Sequence, residues 1–472
     1  MTDHDHDYDV VVAGYGPVGA VAANLLGQRG LRTLVVEPTT SLYHLPRAAH
    51  HDREIHQVYE ALGVLDDLRD AIAENRGMDF VTADGERLFG FVAEPGQSWM
   101  FYQPDLERAL RAGVDRHPSV EVRLAHEVRG FVDRGTHVEV DVSGSTVTTR
   151  WLLGCDGARS TVRKHLDVDL FDYGFDQPWF VVDTLLRGDV DLPEICLQIC
   201  DPARPTTFIP MAGRHRRWEL MLLPSDDADA MPARLAELLA PWVRMDDIEV
   251  LRAVVYSFHA LVADRWRVGN VVLAGDAAHQ MPPFLGQGMC SGIRDVVNLV
   301  WKLDLVNRGI AGEHLLDTYQ TEREPHVREI IELAVALGGI LQTTDAHVAA
   351  ARDAEMLART SSGAPATAEH PLPRLGPGLV GANGRAGRPG GPPGGWRLTT
   401  TRATPVVHPV IEALGIEVTA GADDVLLRPD GYVFDEGDTV AMLDTLGSKV
   451  GVGSGRPRSA MVSAAAHSTR SA

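Results

Sequence analysis

Tyr8-Asp9-Val10-Val11-Val12-Ala13 runs into Gly14-Tyr15-Gly16-Pro17-Val18-Gly19, then a helical stretch through Gln28, then Thr33-Leu34-Val35-Val36-Glu37. The order is a β-branched strand, a glycine turn, a helix, and a second buried strand that ends on an acid. Gly14 permits the tight turn, Gly16 lets a pyrophosphate reach the backbone, and Gly19 lets the helix pack close to the strand. The helix start at Pro17 presents free N–H groups and about half a positive charge. Glu37 stands 23 residues after Gly14, where a carboxylate accepts from the two hydroxyls of an adenosine ribose. Together these features predict a dinucleotide site. The acid favours an unphosphorylated ribose, as in FAD or NAD.

The bulk properties narrow the partners. A chain of 472 residues suits two or three domains with a sizeable core. A formal net charge of −21 argues against nucleic acid. No run approaches the roughly eighteen apolar residues of a membrane span. The acidic Met1–Asp7 stretch lacks a basic-then-apolar pattern, so it reads as a solvated tail, neither a signal peptide nor a metal site. The expected location is cytoplasmic. Four cysteines in so long a chain fit a reducing compartment. Cys196 and Cys200 lie on one strand, roughly 13 Å apart, too far for a disulfide. The absence of Cys-x-x-Cys counts against a flavin disulfide reductase.

Along the chain, a Pro-fixed loop carries Arg47, placed to steer a phosphate or a carboxylate, and a helix follows from Asp52. Phe80 to Phe91 reads as a hairpin around Asp84-Gly85. Trp99–Pro104 reads as a strand end, a helix follows over Asp105–Arg116, and Trp151–Cys155 is a buried strand ending in Asp156-Gly157. By itself that Asp-Gly pair is equally an ordinary turn. Bulky residues at strand spacing from Trp179 to His259 suggest a sheet walling an apolar pocket. A second strand–turn–helix unit then appears. Asn270–Ala274 leads into Gly275-Asp276-Ala277-Ala278-His279, and Pro282 to Gly288 leads into a helix from Met289. Asp276 suits a polyol hydroxyl, and the turn at Gly286 and Gly288 aims a helix N-terminus at a negative group. Residues 361–396 are Gly/Pro-rich and read as linker. Strands are expected at Thr404–Val407, Ile416–Thr419 and Val425–Arg428, with a short helix over Val410–Leu414. The segment past Gly451 is expected to be disordered.

The three islands Gly14-x-Gly16-x-x-Gly19, Cys155-Asp156-Gly157 and Gly275-Asp276-Ala277-Ala278-His279 together resemble the single-component FAD-dependent aromatic hydroxylases. Within them the chain is most similar to the 3-(3-hydroxyphenyl)propionate hydroxylase branch. The pointers are Pro46-Arg47-Ala48, Gln103-Pro104, Cys200-Asp201-Pro202-x-Arg204-Pro205, Arg216-Arg217-Trp218-Glu219 and Asn298-Leu299-x-Trp301-Lys302-Leu303. Leu426-x-Arg428-Pro429-Asp430-Gly431-Tyr432-Val433 resembles the closing strand pair of that branch's C-terminal domain. The implied fold is mixed α/β: a Rossmann-like FAD-binding domain, an inserted β-sheet substrate domain, and a short thioredoxin-like C-terminal region whose completeness is open. The expected boundaries are 1–78, 99–178 and 260–345 for the discontinuous FAD-binding domain, and 79–98 with 179–259 for the substrate domain. The small C-terminal domain would span 397–450 and the tail 451–472.

The resemblance implies FAD as cofactor, NADH or NADPH as co-substrate, and O₂ with a small aromatic molecule as the other reactants. Reduced FAD would give a C4a-hydroperoxide, whose distal oxygen a deprotonated phenol attacks. Gly14, Gly16, Pro17, Gly19, Glu37, Arg47, Gln103, Asp156, Gly275, Asp276, Pro282, Gly286, Gly288 and Met289 would hold the cofactor. His50, following Arg47 on a strand-like segment, is the candidate base, with His259 and Tyr256 as alternatives. Tyr256, Phe284, Arg204 and Arg217 are candidate substrate residues. No metal or membrane is expected, and a homodimer is open. The alternatives are a polyketide-tailoring hydroxylase, a flavin reductase or dehydrogenase without oxygen insertion, and a non-catalytic dinucleotide-fold module.

Overall fold

The computed structural model describes residues 6–42, 47–361, 373–381, 387 and 389–452. Pro46, most of the 361–372 stretch and the tail past 452 lie outside them. Five strands form the parallel heart of the first sheet, in the order Val271–Leu273, Ser145–Gly154, Tyr8–Ala13, Thr33–Glu37, Val120–Leu124. Val10, Val11 and Val12 are at most 1% exposed. That is why the strand reads as an unbroken apolar run: helices cover both faces of a parallel sheet. Three helices, Pro17–Gln28, Gln103–Val114 and Gly288–Asn307, pack together over the glycine turn. Asn24 ties the first two by donating to the Leu110 carbonyl at 2.9 Å.

The second sheet has eight strands, running from His279–Gln280 through Ile248–Ala263, Leu170–Leu186, His215–Met221, Thr206–Ile209, Cys196–Ile199 and Gly77–Val81 to Arg87–Val92. The hairpin around Asp84-Gly85 joins it through a parallel pairing of Gly77–Val81 with Cys196–Ile199. Alternation divides its residues cleanly. Phe180, Val182, Phe208, Trp218 and Leu220 build a core on one face. Val181, Thr207, Arg217 and Glu219 point to the other, toward the first sheet. All four cysteines are free and buried.

A third, four-stranded sheet closes the chain, in the order Glu417–Ala420, Arg397–Thr400, Val425–Leu427, Val433–Glu436, with helices Pro409–Leu414 and Thr439–Val450. The strand expected at Thr404–Val407 is a loop, and Arg397–Thr400 takes its place. Leu398 is fully buried where Val407 is 94% exposed, so the core selected the earlier segment. The described Gly/Pro-rich residues are tied down: Gly376 N–H donates to the Glu322 carbonyl and Gly390 N–H to that of Gly431. Among the described residues, no helix is long and apolar enough to cross a membrane.

Candidate active site

The glycine turn, the Cys155 strand end and the Gly275 turn meet at atomic contact. A Cβ added to Gly14, whose φ is +97°, would lie 2.4 Å from the Cys155 carbonyl oxygen. One added to Gly19 would lie 2.1 Å from the Gly14 carbonyl. A Cβ added to Gly292, on the helix Gly288–Asn307, would lie 2.7 Å from Val18 and 2.9 Å from the Gly275 Cα. These glycines are therefore demanded by protein packing. Gly16 is different, because a Cβ there meets no atom of the described residues within 4 Å. Its open side faces a cavity whose wall also includes Pro17, Arg47, Gln103, Gly157, Asp276, Gly286, Gly288 and Met289.

Two helices start at this cavity without a side-chain cap, one at Gly16 and the other at Gln287. Neither has an acid in its first turn. Their unsatisfied N–H groups and positive ends are anion sites, and both open on the same cavity. A molecule with a pyrophosphate and a second electron-rich group fits that pair, and Gly16 leaves room for its close approach. FAD meets both requirements.

Several predicted residues are already engaged by the protein. Glu37 accepts from Tyr15 N–H at 2.9 Å and from the Thr39 hydroxyl at 2.7 Å, so it steadies the turn and retains lone pairs for a ligand. Gln103 accepts from the backbone N–H groups of Arg47 and Ala48, at 2.7 and 2.9 Å. Arg47 pairs with Asp276 at 3.1 Å. Gly275 and Pro282 stand just behind the wall that Ala274, Asp276, Met281 and Pro283 form. The Asp156 carboxylate accepts from the Ser160 hydroxyl at 2.5 Å and from Val162 N–H at 3.0 Å. It thereby fixes the short helix Thr161–His165, and its neighbours Cys155 and Gly157 reach the cavity.

Sequence reasoning missed the hub beneath the second turn. Asp295, fully buried, accepts from Gly275 N–H at 3.0 Å and His279 Nε2 at 2.6 Å, and pairs with Arg323 at 3.0 Å. His279 follows Asp276 in the motif, but Asp295 and Arg323 carry no local signal of their own.

His50 lines the cavity beside the Gly286 turn. Its Nε2 is 2.7 Å from Ser98 Oγ and its Nδ1 is 3.3 Å from the Gly286 carbonyl. Asn75 in turn donates to Ser98 Oγ at 2.9 Å. Ser98 therefore donates to Nε2, and Nδ1–H donates to Gly286. Burial lowers the His50 pKa, which favours this neutral ring. A Cβ on Gly286, where φ is +64°, would sit 3.0 Å from Nδ1.

Of the candidate substrate residues, Tyr256, Phe284 and Arg217 line the cavity. Phe284 packs edge-on against Trp179. Arg217 donates to the Arg47 carbonyl at 2.6 Å. Arg204 is not brought there: its guanidinium pairs with Asp226 and donates to the Met221 carbonyl at 2.8 Å. His259 stands outside the wall, 3.6 Å from Asp176. Glu219, which had no assigned role, is on the wall.

A family model described as "FAD binding domain" matches residues 7–334. The probable NADH-specific resorcinol 4-hydroxylase of Rhodococcus jostii (strain RHA1) is 38% identical over 458 residues, covering 94% of this chain and 83% of that protein. The 3-(3-hydroxy-phenyl)propionate/3-hydroxycinnamic acid hydroxylase of Mycobacterium sp. (strain JLS) is 38% identical over 363 residues, covering 74% of this chain. The chain spans 63% of that second protein's length. Among solved structures, aklavinone-11 hydroxylase in its ternary complex with FAD and aklavinone aligns with a TM-score of 0.79 at 23% identity. The alignment covers 95% of this chain and 99% of that one. At that identity the likeness is one of fold.

Proposed function

The chain belongs to the FAD binding domain family, and from that premise we propose a flavoprotein monooxygenase that hydroxylates a small phenol with NADH and O₂. The observation that carries the reading is the single cavity that joins two uncapped helix N-termini, the open Gly16 and the face of the second sheet that carries Val181, Arg217, Glu219, Tyr256 and Phe258. When bound, FAD supplies hydride acceptance and the activation of O₂.

The protein's part is to bind, orient and keep water out. Gly16 and Pro17, with the N–H groups of the helix they open, receive the pyrophosphate. Glu37 takes the ribose and Asp276 the polyol chain. Gly286, Gly288 and Met289 face the ring with a positive helix end, which favours negative charge there. Phe258, Phe284 and Tyr256 form an apolar lid on the phenol side. A dry wall strengthens every hydrogen bond made to the phenol oxygen. His50 serves as proton acceptor once its Nε2 parts from Ser98 Oγ, and meanwhile it fixes the Gly286 turn. Free, buried cysteines support a reducing, cytoplasmic setting within the same proposal.

The test is a panel of phenols scored for stimulated NADH oxidation and for product mass. Products one oxygen heavier are expected. NADH oxidation that yields hydrogen peroxide alone across the panel would mean a reductase or oxidase. His50→Ala is expected to keep its FAD and to lose most of its hydroxylation rate. An unchanged rate and pH profile would remove His50 from proton transfer.

A further inference from the structure

Glu219 is 3% exposed and sits on the cavity wall. Strand register puts it there, opposite Val181 on one side and Thr207 on the other. Its nearest cation, Arg217 Nη1, is 3.7 Å away, beyond hydrogen-bond length. Among the described residues no N–H or O–H donates to its carboxylate. The neighbouring donors have other partners. The Thr207 hydroxyl donates to Gln198 Oε1 at 2.6 Å, and Gln198 Nε2 is directed at the Met78 sulfur at 3.2 Å. Arg217 Nε and Arg252 Nε each stand 2.6 Å from an Asp183 oxygen. Burial raises the Glu219 pKa, with Arg217 pulling against it. A buried carboxylate without donors is costly, and here its open side faces the space where the substrate lies.

Charge decides what can lie there. Arg47, Arg217 and Arg252 are the guanidinium groups on the wall. Arg47 is matched by Asp276, and the other two by Asp183 and Glu219. Three cations thus face three anions. An aryl carboxylate would add a further anion, beside the FAD pyrophosphate, to a dry site with no cation left to balance it. A second ring hydroxyl brings the donor that Glu219 lacks, at no charge. We infer that Glu219 accepts a hydrogen bond from a substrate hydroxyl, and that the substrate is a neutral dihydroxybenzene rather than a hydroxyphenylalkanoate. The inference rests on the phenol-hydroxylase reading above and narrows it.

The experiment compares resorcinol with 3-(3-hydroxyphenyl)propionate on the FAD-loaded protein, by kcat/KM and product mass. Resorcinol is expected to be preferred at least tenfold. Glu219→Gln keeps its FAD, raises the KM for resorcinol about tenfold or more, and narrows or reverses the preference. A wild-type protein that prefers the propionate overturns the inference. So does a Glu219→Gln protein with full FAD and unchanged KM and preference. The wild-type comparison decides the matter even if the variant does not fold. If no phenol in the wider panel gains an oxygen atom, the hydroxylase reading falls, and the inference with it.

Discussion

Gly16→Val is expected to give a folded, colourless protein. The backbone at Gly16 has φ −72° and ψ −173°, an extended conformation open to any residue. A Cβ there meets nothing among the described residues. The fold therefore loses only the modest preference for glycine over valine at a helix N-cap, on the order of 1 kcal/mol. The cofactor loses its approach to the backbone N–H groups, and affinity for FAD should fall by at least about 100-fold, near 2.7 kcal/mol. Gly19→Ala is the contrasting control, because its Cβ would meet the Gly14 carbonyl at 2.1 Å and force helix and strand apart. It should lower the unfolding midpoint of the cofactor-free protein, where Gly16→Val barely moves it. Both midpoints are measured without FAD, since bound ligand stabilises by mass action. Stoichiometric FAD in purified Gly16→Val, read from its visible absorbance, would overturn the assignment of this turn to the pyrophosphate.

The contrast between Gly16 and Gly19 also shows where sequence reading works. Both were legible because the motif is local: strand, turn and helix follow one another, and each glycine's task follows from its place in that order. The place of Asp276 on the cavity wall was legible on the same ground. Asp156 was not, because an Asp-Gly pair at a strand end can face a ligand or hold a helix. In the fold its carboxylate accepts from the Ser160 hydroxyl, four residues on, and holds the helix. Glu219 stayed hidden for a different reason. Its meaning depends on sheet register, which sets it beside Arg217, opposite Val181 and Thr207 and within reach of Asp183 and Arg252. None of that can be read from Arg216-Arg217-Trp218-Glu219 alone. The C-terminal strands erred through competition: Thr404–Val407 carries Pro405, which has no N–H for a ladder, and Leu398 of Arg397–Thr400 is buried in the core beside Trp396.

Long-range charge pairing, equally invisible in sequence, carries the last expectation. Arg428 is fully buried and binds Glu322 through two parallel bonds, at 2.9 and 2.7 Å, with Asp430 at 2.6 Å. Glu322 also receives Lys302 Nζ and Asn298 Nδ2, each at 2.8 Å. Asn298 and Lys302 belong to the helix Gly288–Asn307, whose first turn lines the cavity. The closing sheet is thus fastened to the cofactor helix by a neutral set of two cations and two anions. Burial holds the Lys302 pKa down to about 8, with Glu322 as its main opposing influence. Arg428→Ala leaves two buried carboxylates facing one ammonium group. Such a loss costs about 3–5 kcal/mol, a large share of a typical 5–15 kcal/mol. Arg428→Met with Glu322→Gln leaves Lys302 and Asp430 as one balanced pair. The double variant should therefore unfold at a higher denaturant concentration than either single one, a coupling that a double-mutant cycle reads directly. Strictly additive losses, or an Arg428→Ala protein as stable as wild type, would mean that apolar packing around Trp301 and Trp396 holds the closing sheet instead.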